Sequence, residues 1–175
     1  MAHASVARLR VLHAIRIKGF PGDTAIATAA DLELDAVRPL LDDLAVSGAA
    51  MFRDGRLTGW TLTAEGRAQH AKAMADELDA CQCREEIDGA YRSFLQVNAD
   101  LLGVCTDWQL KPSAGAAELN DHSDPAYDAA VIARLRAIDT RVQPVVARLA
   151  GTLERFASYG PRLANAVERV EAGDG

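Results

Sequence analysis

"RDGRLTGWTLTAEGR", Arg53 to Arg67, is the stretch whose reading decides the fold. Asp54-Gly55 is a strong turn signal. It lies between two strand-like runs, "AAMF" before it and "RLTGWTLT" after it. Thr63 stands where a hydroxyl caps a helix N-terminus. Glu65 then puts a carboxylate in the first turn, where the helix dipole favours negative charge. The stretch therefore predicts a two-stranded hairpin that runs directly into a helix.

Upstream, Val6, Leu9, Leu12 and Ile15 recur at helical spacing and predict a first helix from about Ser5 to Lys18. "GFPGD" breaks it. Asp23 or Thr24 caps a second, short helix in "TAIATAADLEL". Asp35 caps a third, with Val37, Leu40, Leu41 and Leu44 inward, Pro39 near the first turn and Gly48 as a C-terminal stop. The order helix, helix, helix, strand, strand, helix predicts a winged helix-turn-helix domain over residues 1–63, with the hairpin as its wing.

Downstream the sequence reads as helix. One segment spans Ala64 to about Ala80. Ile87, Tyr91, Phe94, Asn98, Leu101, Cys105 and Trp108 then form a heptad-type seam with one polar member, Asn98. "LKPSAGAAELNDHSDP" reads as a loop. A second seam follows at Val131, Leu135, Ile138, Val142, Val145 and Leu149, with Pro144 expected to kink or end its helix. Gly151 and Gly160-Pro161 mark off two short final helices. The expected fold class is mainly α: a winged helix-turn-helix of three helices plus a β-hairpin wing, followed by a C-terminal helical bundle over residues 64–175 that serves dimerisation and ligand sensing.

With 175 residues, 49% of them hydrophobic and 25% charged, the chain has enough apolar material for one large domain or two small ones. The net charge is -6 and the pI about 5.2. Arg8, Arg10, Arg16 and Lys18 interrupt any signal-peptide core. The longest uncharged run, Leu44 to Phe52, is well short of the roughly 20 residues that span a bilayer. The expectation is a cytoplasmic protein with no membrane partner. No phosphate-cradling glycine loop, G-x-S-x-G elbow or H-E-x-x-H motif is present, so the chain is read as a non-enzyme without cofactor or metal. Cys81, Cys83 and Cys105 are odd in number and not spaced as a disulfide framework. C-x-C is also the wrong spacing for structural zinc, so the cysteines are expected to pack as small hydrophobes, with a redox switch at "CQC" as the alternative.

Two groups of residues are candidates for function. On the first domain, Arg38 is the only base-reading cation of the third helix, and Arg53 and Arg56 flank the turn of the wing; Arg16 and Lys18 stand at the end of the first helix. These suit phosphate contacts, which supply most non-specific DNA affinity. Asp42 and Asp43 oppose them. Residues 1–80 hold nine Lys and Arg against eleven Asp and Glu, a balance of -2. In the second half, Trp108, Lys111, Asn120, Asp121, His122 and Asp124, with Asp128 close behind, bring an indole, a cation, an amide, an imidazole and carboxylates together, the make-up of a small-ligand site. The alternative is a polar loop in which Ser123 or Asp124 caps the next helix, with Pro125 at its first position.

Residues 5–67 resemble the winged helix-turn-helix of MarR-like transcriptional regulators. The matching features are the spacing from "TAIATAADLELDAVRPLLDDLAVSGAA" to the wing and the "LTAEGR" that follows it. The resemblance implies a homodimer that binds DNA and regulates transcription, gated by a small-molecule effector in the helical half. Through "WQLKP" and "NDHSDPAYD" the C-terminal half resembles helical accessory segments of pyruvate phosphate dikinase-type enzymes. That implies the alternative: a winged-helix interaction module that does not bind DNA and serves a phosphotransfer enzyme as a protein partner.

Overall fold

The computed structural model describes residues 1–112 and 117–173. The middle of the expected loop, residues 113–116, lies outside the described residues. The chain is mainly helical and divides into two compact units. One is His3–Arg84; the other is Glu85–Gly175 with Met1–Ala2.

In the first unit, α1 spans Ala7–Lys18 and buries Leu9, Val11, Leu12, Ala14 and Ile15 on one stripe. Val6 sits at its N-cap and is exposed, so it is not part of the inner face. Gly19 and Phe20 both take positive φ and turn the chain out of the helix. α2 spans Asp23–Ala30 and stops at Asp31, which adopts the left-handed conformation and donates its N–H to the last turn. α3 spans Leu34–Val46 and buries Val37, Leu41 and Leu44. It begins after Glu33, so Asp35 is inside the first turn and does not cap it, and Pro39 lies a turn further in than expected. Pro39 is on the exposed face, where water is available to the carbonyl that its missing N–H would have met.

Strands β1 (Ala50–Arg53) and β2 (Gly59–Leu62) pair antiparallel, Ala50 opposite Leu62 and Arg53 opposite Gly59. The connection is therefore the wider loop 54–58, not a tight turn at Asp54-Gly55, and Thr58 Oγ1 closes it on the Gly55 carbonyl. The hairpin is fastened to the α1–α2 connection. Trp60 N–H donates to the Pro21 carbonyl at 2.9 Å, and the Trp60 indole N–H donates to Asp23 Oδ1 at 2.8 Å. Asp23 is thus occupied by Trp60, and the residue at the α2 N-cap is Gly22. Gly59 has φ +141, and a Cβ there would fall 2.1 Å from the Phe20 carbonyl oxygen, so only glycine fits.

α4 spans Ala64–Ala80. Thr63 is its N-cap as expected, its hydroxyl oxygen accepting from Gly66 N–H at 3.1 Å. The same hydroxyl donates to the Gly48 carbonyl at 2.7 Å, and Thr63 N–H donates to the Ala49 carbonyl at 3.1 Å. Arg67 reaches back to the Leu62 carbonyl. Thr63 and Arg67 of "LTAEGR" therefore weld the helix to the hairpin, while Glu65 accepts from Gln69 within α4. His13 of α1 and His70 of α4 stack, with ring nitrogens 3.2 Å apart. The core of this unit joins α1, α2 and α3 to both strands through Val11, Leu12, Ile15, Ile26, Leu41 and Leu62. α4 packs in this unit as well, so the division falls after Arg84, not at residue 63.

In the second unit, α5 (Arg84–Gln109) and α6 (Pro125–Thr152) share a core of Val97, Val104, Val131, Ile138 and Val142. Ion pairs Glu86–Arg148, Asp100–Arg141 and Asp107–Arg134 run in opposite sequence directions along the two helices, which fixes them as antiparallel. On α5 the expected seam is rotated. Its buried line is Ala90, Val97 and Val104, with Phe94, Leu101 and Trp108 beside it, while Tyr91 and Cys105 face solvent. On α6 the expected seam holds from Val131 through Leu135 and Ile138 to Val142, after which Val146 and not Val145 packs on the core, and the helix runs on through Pro144 and Gly151. A 3-10 turn (Glu154–Phe156) leads to α7 (Tyr159–Glu171), which takes Gly160-Pro161 into its first turn. Part of the expected loop is ordered as two short strands, β3 (Leu110–Lys111) and β4 (Glu118–Leu119), paired antiparallel. Among the described residues no helix is long and apolar enough to cross a membrane.

Candidate functional site

The cations expected at a nucleic-acid interface fall in three places. Arg53 and Arg56 lie at the hairpin loop and line one shallow concavity with Phe20, Met51, Asp54 and Leu57. Both are exposed, and neither has an ion pair with another described residue. Arg38 is exposed on α3 but does not line that concavity. It is held 3.1 Å from Asp35, one turn back on the same helix. With Asp42 and Asp43 also exposed, the outer face of α3 presents three carboxylates to one guanidinium. The same unit exposes apolar side chains at Val46, Met51, Phe52 and Leu57. Arg16 and Lys18 are exposed at the end of α1.

The second candidate is the junction of α5 with the loop before α6. The structure brings Trp108, Lys111, Asn120, Asp121, His122 and Asp128 together there, and adds Tyr127. Asn120 is the anchor, with only 9% of its surface exposed. Its backbone N–H donates to the Gln109 carbonyl at 2.8 Å. Its side-chain amide donates to the Trp108 carbonyl at 3.1 Å and to Asp128 Oδ1 at 2.9 Å, and its Oδ1 accepts from His122 N–H at 3.1 Å. His122 Nδ1 is 3.0 Å from Asp128 Oδ2, which can only accept and so favours a proton on Nδ1, and 3.3 Å from the Asn120 amide nitrogen. The imidazole lies against the Trp108 indole with ring centres 4.5 Å apart. His122 holds this place with φ +56, a conformation few non-glycine residues adopt.

The carboxylates have separate duties. Asp124 is the α6 N-cap, its Oδ1 accepting from Ala126 and Tyr127 N–H, with Pro125 behind it. It belongs to the cap and is not turned toward the cluster. Asp121 accepts from the Ser123 hydroxyl and from Ser123 N–H, and pairs with Lys111 at 3.4 Å; these contacts hold its carboxyl down at about 2. Asp128 is also held below the ordinary carboxylate range, first by the Asn120 amide and then by His122. Lys111 lies 5.6 Å over the Tyr127 ring, whose hydroxyl donates to the Asp107 and Leu110 carbonyls. Among the described residues no group of three His, Cys, Asp or Glu is placed to hold a metal ion.

Beside this cluster is an apolar cavity of about 180 Å³, lined by Val104, Cys105, Trp108, Gln109, Val131 and Leu135. Trp108 is common to both: it touches His122 and walls the cavity. Tyr127 is the site residue that sequence reading left out. Its signal is positional, because once Asp124 caps α6, residue 127 falls in its first turn.

No family model matches the chain, and neither the curated proteins nor the solved structures include a match to it.

Proposed function

We propose that this chain is a winged helix-turn-helix transcriptional regulator that binds DNA as a homodimer and makes its main phosphate contacts through the wing. The observation that carries this is the pair Arg53 and Arg56, exposed on one hairpin loop and free of ion pairs among the described residues. The order of three helices, hairpin and helix supports the reading, as does the anchoring of the hairpin on the α1–α2 connection through Trp60 and Pro21. The second unit is the effector half: Trp108, set between the His122 cluster and the apolar cavity, suits a ring-sized molecule that carries an anionic group for Lys111. An effector controls the protein only through its different affinity for two states.

Duplex-DNA titrations at several salt concentrations test this. Each phosphate contact contributes about 0.9 to the slope of log affinity against log salt. Arg53→Ala with Arg56→Ala should lower affinity on all sequences alike and flatten that slope by up to about two units. An unchanged affinity and slope defeats the wing reading.

A second reading has its own observation. The carboxylate-rich outer face of α3, with Arg38 engaged by Asp35 and with Val46, Met51 and Phe52 exposed, suits a protein surface with basic and apolar groups better than a phosphate backbone. On that reading the module docks on a protein partner, for which a dikinase-type enzyme is the candidate. Absence of any DNA binding at low salt favours it.

A further inference from the structure

Cys81 and Cys83 are joined by a disulfide, which the spacing of the three cysteines did not suggest. It closes a ring across Gln82 alone. A structural disulfide stabilises a fold by closing a long loop of the unfolded chain. This one ties no two elements together. Nor does the end of α4 need it, because the backbone already secures that end. Cys81 N–H donates to the Glu77 carbonyl, Gln82 N–H to the Asp79 carbonyl and Cys83 N–H to the Leu78 carbonyl. The last two are the paired bonds of a Schellman stop.

The stop accounts for the meeting of the two sulfurs. On a continuing helix, residues two apart point to different sides. Gln82 takes φ +51 instead, at the position where such stops usually carry glycine. That turn brings the Cys83 side chain round to Cys81, and its backbone bonds do not depend on the sulfurs. Dithiol and disulfide therefore fit the same backbone. The two cysteines differ in access: Cys83 is buried at 8% exposure, and Cys81 is partly exposed.

We propose that Cys81 and Cys83 form a reversible dithiol–disulfide couple that exchanges with small thiols of the glutathione class. The small-thiol thiolate attacks Cys81 Sγ, the accessible sulfur. The Cys81–Cys83 bond breaks and its electron pair leaves on Cys83 Sγ, which takes a proton from water. A second small thiolate then attacks its own kind in the mixed disulfide and releases Cys81, which is protonated in turn. Two small thiols are oxidised to one disulfide, and the protein pair is reduced by two electrons. This activity is independent of DNA binding.

The test equilibrates the full chain with graded mixtures of reduced and oxidised glutathione, quenches with acid, alkylates, and locates thiols by peptide mass. The expected result is one free thiol, Cys105, at the oxidised end. It rises to three at the reduced end, with Cys81 and Cys83 changing together and reverting on reoxidation while the circular dichroism of the fold persists. Cys83→Ser should trap a glutathione adduct on Cys81, and Cys105→Ser should leave the transition in place. Three outcomes overturn the proposal: three free thiols throughout, a pair that opens only when the protein is unfolded, or adducts confined to Cys105.

Discussion

Replacing Gly66 with alanine separates two forces of opposite sign. Gly66 is the third residue of α4, and in a helix alanine is favoured over glycine by about 1 kcal/mol. Propensity alone predicts a more stable protein. But a Cβ on Gly66 would stand 1.8 Å from the Ala49 carbonyl oxygen, a backbone atom with no rotamer to change. Restoring an ordinary 3.4 Å contact requires a shift of about 1.6 Å between the start of α4 and Ala49. That shift breaks the bond from Thr63 N–H to the same carbonyl, worth about 1 kcal/mol. Overpacking adds about 1–3 kcal/mol. After the propensity gain is subtracted, Gly66→Ala should destabilise the first unit by about 2 kcal/mol, a urea midpoint lower by about 1–2 M. Trp60 emission in a Trp108→Phe background reports on that unit alone, since these are the two tryptophans. Gly151→Ala, which lies in the second unit and is read from Trp108 emission in the wild-type background, is the control, because nothing stands within 4 Å of a Cβ there and its backbone is helical; it should be neutral or stabilising by up to about 1 kcal/mol. A Gly66→Ala midpoint equal to or above wild type would refute the steric argument and the weld it describes.

In the second unit, Asp121 is held at about 2 against an ordinary 3.8, and Asp128 is also lowered. A depressed folded value means the stability they add is complete above about pH 4 and is lost as the pH falls toward about 2; Trp108 emission followed from pH 6 downward, set against Asp121→Asn, checks that window. Phosphoenolpyruvate and small aromatic acids titrated against Trp108 emission should shift it in wild type and not in His122→Ala, and a silent wild type removes the effector site. On α3, Asp42→Asn with Asp43→Asn should tighten duplex binding about fivefold at low salt if the helix lies about 8 Å from phosphates, since each charge then costs about 0.5 kcal/mol in water; unchanged affinity places α3 away from the backbone.

Much of the first unit was legible because its signals are local. The period of α1, the Gly48 stop, the Thr63 cap and the two strands each depend on a few neighbouring residues. What was not legible depends on partners far along the chain. Asp23 reads as a cap, but Trp60, 37 residues on, takes its carboxylate. The tight turn at Asp54-Gly55 gives way to a wider loop because Gly59 must pass against the Phe20 carbonyl, which fixes where β2 starts. The seam on α5 was rotated because a heptad pattern names a stripe without saying which edge of it meets α6. There the small residues Ala90, Val97 and Val104 allow close approach, and Tyr91 is left outside. In the loop, convergence of the site residues was legible from composition. Their mutual satisfaction was not: the Asn120 amide binds the Trp108 carbonyl and Asp128, and Lys111 is paired with Asp121.

The same distinction decides how far "LTAEGR" reaches. Thr63 is fixed by the carbonyls of Gly48 and Ala49, Gly66 by the space beside Ala49, and Arg67 by the Leu62 carbonyl. All three are geometric demands of a helix starting directly after a hairpin. A chain that keeps the hairpin–helix junction must keep them whether or not it touches DNA, so the motif carries the fold and is silent on the ligand. Function has to be read from residues the fold does not require: Arg53 and Arg56 on the loop, and Asp35, Asp42 and Asp43 on the outer face of α3. Those two sets point at opposite charges. The two sets lie on different elements, the cations on the hairpin and the carboxylates on α3, so the wing and helix variants above test the two readings of this unit separately.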